Sequence, residues 1–282
     1  MALPVTPLLV EDSAAALAAG GWRYTQRQLY YATCARAETP ASNAASNGEI
    51  GLGVLMILVG LILIGIKVAF VLFVSLGIAL VLTGVIGRMR RPVLTGRVLA
   101  LSFDEFTTRF GDLRPAGLVD PDATLPAPDP SIADAPTVIC DTLDTARMVV
   151  ANLSRVDLGA ATVVAAKDGS ADVPKGRALV LHDASPRGCA LVLNLRDDGI
   201  TAEDAGLRPS DVDGPSHQVI EGAPARLPRD LGSLLRADEI DWLLSGRRVE
   251  VATLTPEVAM DRVLAAVRRL APPPVDGRPP AG

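Results

Sequence analysis

The sequence is poor in the residues that build metal cages and covalent staples. It has two histidines, His182 and His217, which excludes a multi-histidine metal site. Its three cysteines, Cys34, Cys140 and Cys189, lie far apart and form no Cys-x-x-Cys pair. That spacing suggests neither a disulfide framework nor a zinc site and fits a reducing compartment. Positive charge is in deficit: 27 Lys and Arg stand against 32 Asp and Glu, a net of −5. From Pro92 onward the count is 20 against 28, and residues 1–47 balance to zero. No basic block marks a nucleic-acid footprint. A secretory leader is not expected, because residues 1–20 lack a basic start followed by an apolar core.

What the sequence has in excess is one apolar run. Residues 50–87 read IGLGVLMILVGLILIGIKVAFVLFVSLGIALVLTGVIG, with one charge, Lys67, and no proline. As a single helix the run would be about 57 Å long, against a hydrocarbon thickness of about 30 Å. The expectation is a two-helix transmembrane hairpin, 50–66 and 68–87, turning near Lys67, with one bent span as the alternative. Gly53 and Gly60, and Gly77 and Gly84, are each seven apart, so each pair shares a helix face. That spacing suits close helix packing, or reflects the frequency of glycine in membrane helices. Arg88, Arg90 and Arg91 follow the run and put that end in the cytoplasm by the positive-inside rule. The implied location is the bacterial inner (cytoplasmic) membrane, with two spans, both termini cytoplasmic and the lipid bilayer as a partner.

Five segments follow: a helical segment over 1–47, the hairpin over 48–91, a strand–helix segment with a Pro/Asp-rich linker over 92–136, an α/β domain over 137–270, and a disordered tail over 271–282. In the first, Thr25 and Gln28 have capping-box spacing and predict a helix from Thr25. Ser102 and Glu105 repeat the pattern after an expected strand at 97–101. Strands are expected at 137–140, 161–166 and 177–183, alternating with helices that start near Asp141 or Thr142 and at Ser185-Pro186. This alternation predicts a Rossmann-like parallel sheet with flanking helices. Two further amphipathic helices, 236–245 and 255–270, flank a short extended segment.

In open parallel sheets, ligands gather at the carboxyl ends of the strands. Those ends carry Asp141 after TVIC and Asp183 after LVLH. Two carboxylates there suit Mg²⁺ and phosphoryl chemistry. The alternative is that Asp141 caps the next helix and Asp183 shapes a turn. His182 fits a core or turn position rather than a general base, Cys189 a buried, inert one, and Glu250 a surface position, with a remnant acidic position as its alternative.

The segment LVLHDASPRGCAL resembles the Asp-x-Asp-Pro-x-Gly turn of Toprim domains, especially those of the type VI DNA topoisomerase A subunit and the related meiotic double-strand-break protein family. TVICD upstream and GRRVEVATL downstream are similar to flanking parts of that domain. TQRQLYY resembles the family's Arg-x-x-Tyr-Tyr motif, carried there by a winged-helix domain that precedes Toprim. The resemblance implies Tyr31 as nucleophile toward a DNA phosphate, Arg27 as its motif partner, and Asp141 and Asp183 as Mg²⁺ ligands. The sequence departs from the pattern at two places: Asp141 stands where the family has Glu, and Ser185 where it has the second Asp of the pair. The winged-helix segment is also too short to be complete. The leading expectation is therefore a membrane-anchored cytosolic Toprim-like module that binds or scaffolds, catalytically degenerate, with no cofactor. Its partner would be an unidentified protein or a second copy, and DNA is disfavoured by the acidic charge. The alternative is a membrane-associated, Mg²⁺-dependent DNA-cleaving enzyme that uses Tyr31.

Overall fold

The computed structural model describes residues 4–38, 75–76, 78–79, 99–127, 136–158, 160–171, 173, 176–212 and 218–270. The chain divides into two compact units, Met1–Leu3 with Glu38–Thr95, and Pro4–Ala37 with Gly96–Gly282. In the first, Ser75, Leu76, Ile78 and Ala79 are helical and exposed. No helix among the described residues is long and apolar enough to cross a membrane. This finding corrects the expected two-helix transmembrane hairpin, and with it the two-span inner-membrane location. A span needs about 20 mostly apolar residues. The longest described helix, Pro256–Leu270, has 15 residues and carries Glu257, Asp261, Arg262, Arg268 and Arg269. Lys67, the two glycine pairs and Arg88, Arg90 and Arg91 lie outside the described residues, as do the 39–48 linker and the 271–282 tail.

The second unit is a mixed α/β structure around a parallel sheet. The strands are β1 (Thr137–Cys140), β2 (Thr162–Ala165), β3 (Arg177–Leu181) and β4 (Thr201–Asp204). Their order is β2-β1-β3-β4, every pairing parallel. Side chains alternate across a strand, and the alternation divides the core in two. Val138, Cys140, Leu179 and Leu181 face a cluster with Met148, Val149, Met260 and Val263. Ile139, Ala178 and Val180 face the other way, onto Leu191, Val192 and Leu195.

Leu143–Asn152 and Pro256–Leu270 supply the first set of partners and Pro186–Asp197 the second. The described helices of this unit are α1 (Pro7–Leu17), α2 (Gln26–Glu38), α3 (Phe103–Phe110), α4 (Leu143–Asn152), α5 (Pro186–Asp197), α6 (Ala237–Leu244) and α7 (Pro256–Leu270). Their starts are set by side-chain caps. Thr6, Ser102, Thr142 and Ser185 each accept a backbone N–H from the first turn. At α2 the capping box is closed both ways: Gln28 N–H donates to Thr25 Oγ1, and Thr25 N–H donates to Gln28 Oε1.

Helices α1, α2 and α3 build their own cluster from Val10, Leu29, Tyr30, Tyr31, Phe106 and Phe110, and Ala252 joins it from beside the sheet. Several bonds tie the N-terminal segment to the α/β part, among them three that involve Asn152 and Gln28. Arg23 N–H donates to Asn152 Oδ1, Asn152 Nδ2 donates to the Arg23 carbonyl, and Gln28 Nε2 donates to the Leu254 carbonyl. The expected strand at 97–101 is not seen over Leu99–Leu101, whose described residues are irregular. The Leu101 carbonyl accepts from the Tyr30 hydroxyl at 2.9 Å and so has a partner without a ladder. A short antiparallel pair, β5 (Ile220–Glu221) with β6 (Arg247–Arg248), leads the chain back to the sheet's carboxyl end.

Candidate functional site

The ends of β1 and β3 bring two acids into contact. Asp141 follows β1, and Asp183 lies two residues past β3. The Asp183 N–H donates to Asp141 Oδ2 at 2.8 Å. Val251 N–H donates to Asp183 Oδ1 at 2.6 Å. Asp141 Oδ1 is buried and has no hydrogen-bond partner among the described residues. Burial pushes the Asp141 carboxyl above the usual carboxylate range. Burial, then the neighbouring Asp141 charge, pushes Asp183 well above it. A desolvated like-charge pair resists double ionisation.

Helix α2 delivers the other two residues. Arg27 and Tyr31 are four apart and share a helix face. The Arg27 guanidinium grips Glu250 with both prongs, Nε to Oε2 at 2.5 Å and Nη2 to Oε1 at 3.2 Å. It also stands over the Phe103 ring, 4.8 Å from its centroid. Burial opposes the Arg27 charge, and Glu250 outweighs that cost and holds it protonated. Tyr31 is 3% exposed, and it lies within the field of the same Glu250 carboxylate. Burial, then the Glu250 charge, drives the Tyr31 phenol far above its ordinary value. The phenolate, the form that attacks phosphorus, is strongly disfavoured in this setting.

Arg27 is thus bonded to Glu250, whose side chain is only 12% exposed and whose charge also acts on Tyr31, Asp141 and Asp183. Glu250 does not hold the surface position expected of it. It sits immediately before Val251, whose N–H caps Asp183. Sequence gave little signal for its pairing, because Arg27 lies 223 positions away. Asp144 was also missed; burial raises its carboxyl above the usual range, against the pull of Thr25 and Arg27. Ser185 is the N-cap of α5, its Oγ accepting the Gly188 N–H at 3.0 Å. Gly188 is required there, because a Cβ would stand 2.4 Å from the Asp183 carbonyl oxygen. His182 is fully buried, with Nδ1 on the Asp183 carbonyl and Nε2 on Asp204 Oδ1. Cys189 is buried, and burial pushes its thiol up to about 12. His217 lies outside the described residues.

The donor set does not fit a resident Mg²⁺. Among the described residues no group of three or more His, Cys, Asp or Glu is gathered to hold a metal ion. Both Glu250 oxygens are taken by Arg27, Asp183 Oδ1 by Val251, and the Ser185 hydroxyl by its cap. Asp141 Oδ1 is left as the one shown to be uncommitted. Compared with family descriptions, curated proteins and solved structures, the chain has no match in any of the three.

Proposed function

We propose that this chain is a binding module, built on a Toprim-like α/β unit in which the strand-cleavage machinery is shut. The observation that carries this reading is the Arg27–Glu250 pair. A guanidinium occupies both oxygens of the carboxylate nearest Tyr31, where cleavage would need an accessible nucleophile and a free acid. Three features support it. Tyr31 is buried under that pair, Ser185 replaces an acid and serves as a helix cap, and the chain is acidic overall, which works against gripping a phosphate backbone. The partner is then another protein or a second copy of the chain.

The test is a supercoiled-plasmid assay with Mg²⁺ or Mn²⁺, comparing the wild type with Tyr31→Phe. Neither protein is expected to nick DNA or to form a covalent protein–DNA adduct. An adduct that disappears in Tyr31→Phe would overturn the reading. It would establish instead the alternative, DNA strand cleavage by Tyr31, which is favoured by the contact of Asp141 with Asp183, by the Glu250 charge that acts on Tyr31 and both acids, and by Asp141 Oδ1, unpartnered among the described residues.

A further inference from the structure

A second site stands apart from the Tyr31 cluster, at the free edge of the sheet. Strand β4 is an edge strand. The Ala205 N–H bonds back to Val180 of β3, and the carbonyls of Ala202 and Asp204 accept from arginines. Arg196 Nε and Nη2 donate to the Ala202 carbonyl at 3.1 and 3.0 Å. Arg269 Nη2 donates to the Asp204 carbonyl at 2.9 Å, while its Nε pairs with Glu203. Arg262 Nη1 donates to the Gly206 carbonyl at 2.8 Å and to Asp211 at 3.0 Å. Arg208 completes the set through Asp204 Oδ2. These four arginines line an open cleft of about 500 Å³, within the range of small-molecule sites.

Charged side chains blunt exposed strand edges, and here four arginines gather at one. Each guanidinium is fixed through part of its fork. The bonds leave Nη1 of Arg196, Arg208 and Arg269 and Nη2 of Arg262 uncommitted among the described residues. The lining acids are Glu203, Asp204 and Asp211. Asp204 is also engaged from behind, where its Oδ1 meets His182 Nε2 at 3.1 Å. His182 Nδ1 faces a carbonyl oxygen on its other side; burial opposes the ring's charge, but these acceptors raise its pKa above the ordinary value. The cleft thus sets four arginines against three acids, a net of +1 in an acidic chain, with pre-oriented N–H forks of the geometry that suits phosphate oxygens.

We infer that this cleft binds a compact phosphate-bearing small molecule. Its volume and the negative charge around it exclude a nucleic-acid duplex. Binding is read by calorimetric titration of the full chain with inorganic pyrophosphate in about 0.1 M salt, inside the range where exposed charges still act across several ångströms. Saturable one-to-one binding is expected. Arg269→Gln removes one fork and weakens binding about tenfold, the effect of losing about one charge-assisted contact. Glu203→Gln removes the carboxylate that competes for Arg269 and strengthens binding several-fold, a gain that a merely damaged fold would not give. Arg187→Gln, at an exposed pair with Asp168 outside the cleft, leaves affinity unchanged. Absence of saturable binding to the wild type, or equal losses in Arg269→Gln and Arg187→Gln, overturns the inference. None of these readouts depends on Tyr31 or on DNA cleavage, so this inference and the reading of the Tyr31 cluster stand or fall separately.

Discussion

At the residue scale the molecule concentrates its electrostatic cost at Asp183 and its electrostatic gain at Asp204. Asp183 is held above the usual carboxylate range by burial and by Asp141, so its ionised form strains the fold at neutral pH. Asp183→Asn keeps an acceptor for Val251 N–H and removes one of the two repelling charges. It is expected to raise stability at pH 8 by about 1 kcal/mol, in keeping with the strain that candidate sites carry, as read by urea unfolding. A loss of stability would show that the two acids do not repel. Asp204 has the opposite sign. Burial alone would raise its pKa, but His182, Arg208 and the Gly206 N–H together hold it well below the usual range. Its contribution is therefore complete above the ordinary carboxylate pKa near 3.8 and is lost as pH falls through the depressed folded value. Asp204→Asn keeps an acceptor for His182 but removes the charge shared by His182 and Arg208, and at pH 7 it should cost about 3 kcal/mol. The gap between wild type and variant should narrow below pH 4, and unfolding curves at pH 7 and pH 3 check it.

At the element scale, helix α2 is the joint between the helical cluster and the sheet. Its start was legible, because Thr25 and Gln28 stand at capping-box spacing and the structure closes that box in both directions. Strands β1 and β3 were legible too, as short apolar runs ending in Asp141 and His182-Asp183. Strand β4 was not: TAED has two acids in four residues, and its identity depends on pairing with β3 and on arginines from α5 and α7. The contact between α2 and Glu250 was equally hidden, since no local pattern reports a salt bridge that closes only when two clusters dock. The strength of that joint is measurable with a double-mutant cycle on Arg27→Met and Glu250→Gln. Arg27 is 37% exposed at its side chain, so water screens part of the attraction. The expected coupling is about 1–2 kcal/mol, within the range for contacting residues. Coupling within error of zero would mean that the pair is a surface contact and would remove the lock on Tyr31.

At the scale of the whole molecule, the sequence order and the folding units disagree. The segment 4–37 is separated in sequence from 96–282, yet the two form one compact unit, and 38–95 belongs to the other. The first and last pieces are tied by buried, directional contacts. Asn152 and Arg23 exchange two hydrogen bonds, Gln28 donates to Leu254, and Tyr30 packs edge-on against Phe103 and Phe106 at 5.4 and 5.6 Å. None of these contacts uses a residue between 39 and 95. Loop-closure entropy grows only as the logarithm of loop length, about 0.6 kcal/mol per doubling. Replacing residues 39–95 with a flexible linker of about 15 residues should therefore leave the second unit folded and slightly more stable. Small single units unfold in one cooperative step, so the shortened chain should show a single urea transition by both near- and far-ultraviolet circular dichroism. Separate transitions for the helical cluster and the sheet would show that the N-terminal helices need the excised segment to dock. In that case the Arg27–Glu250 pair could not hold the site closed by itself.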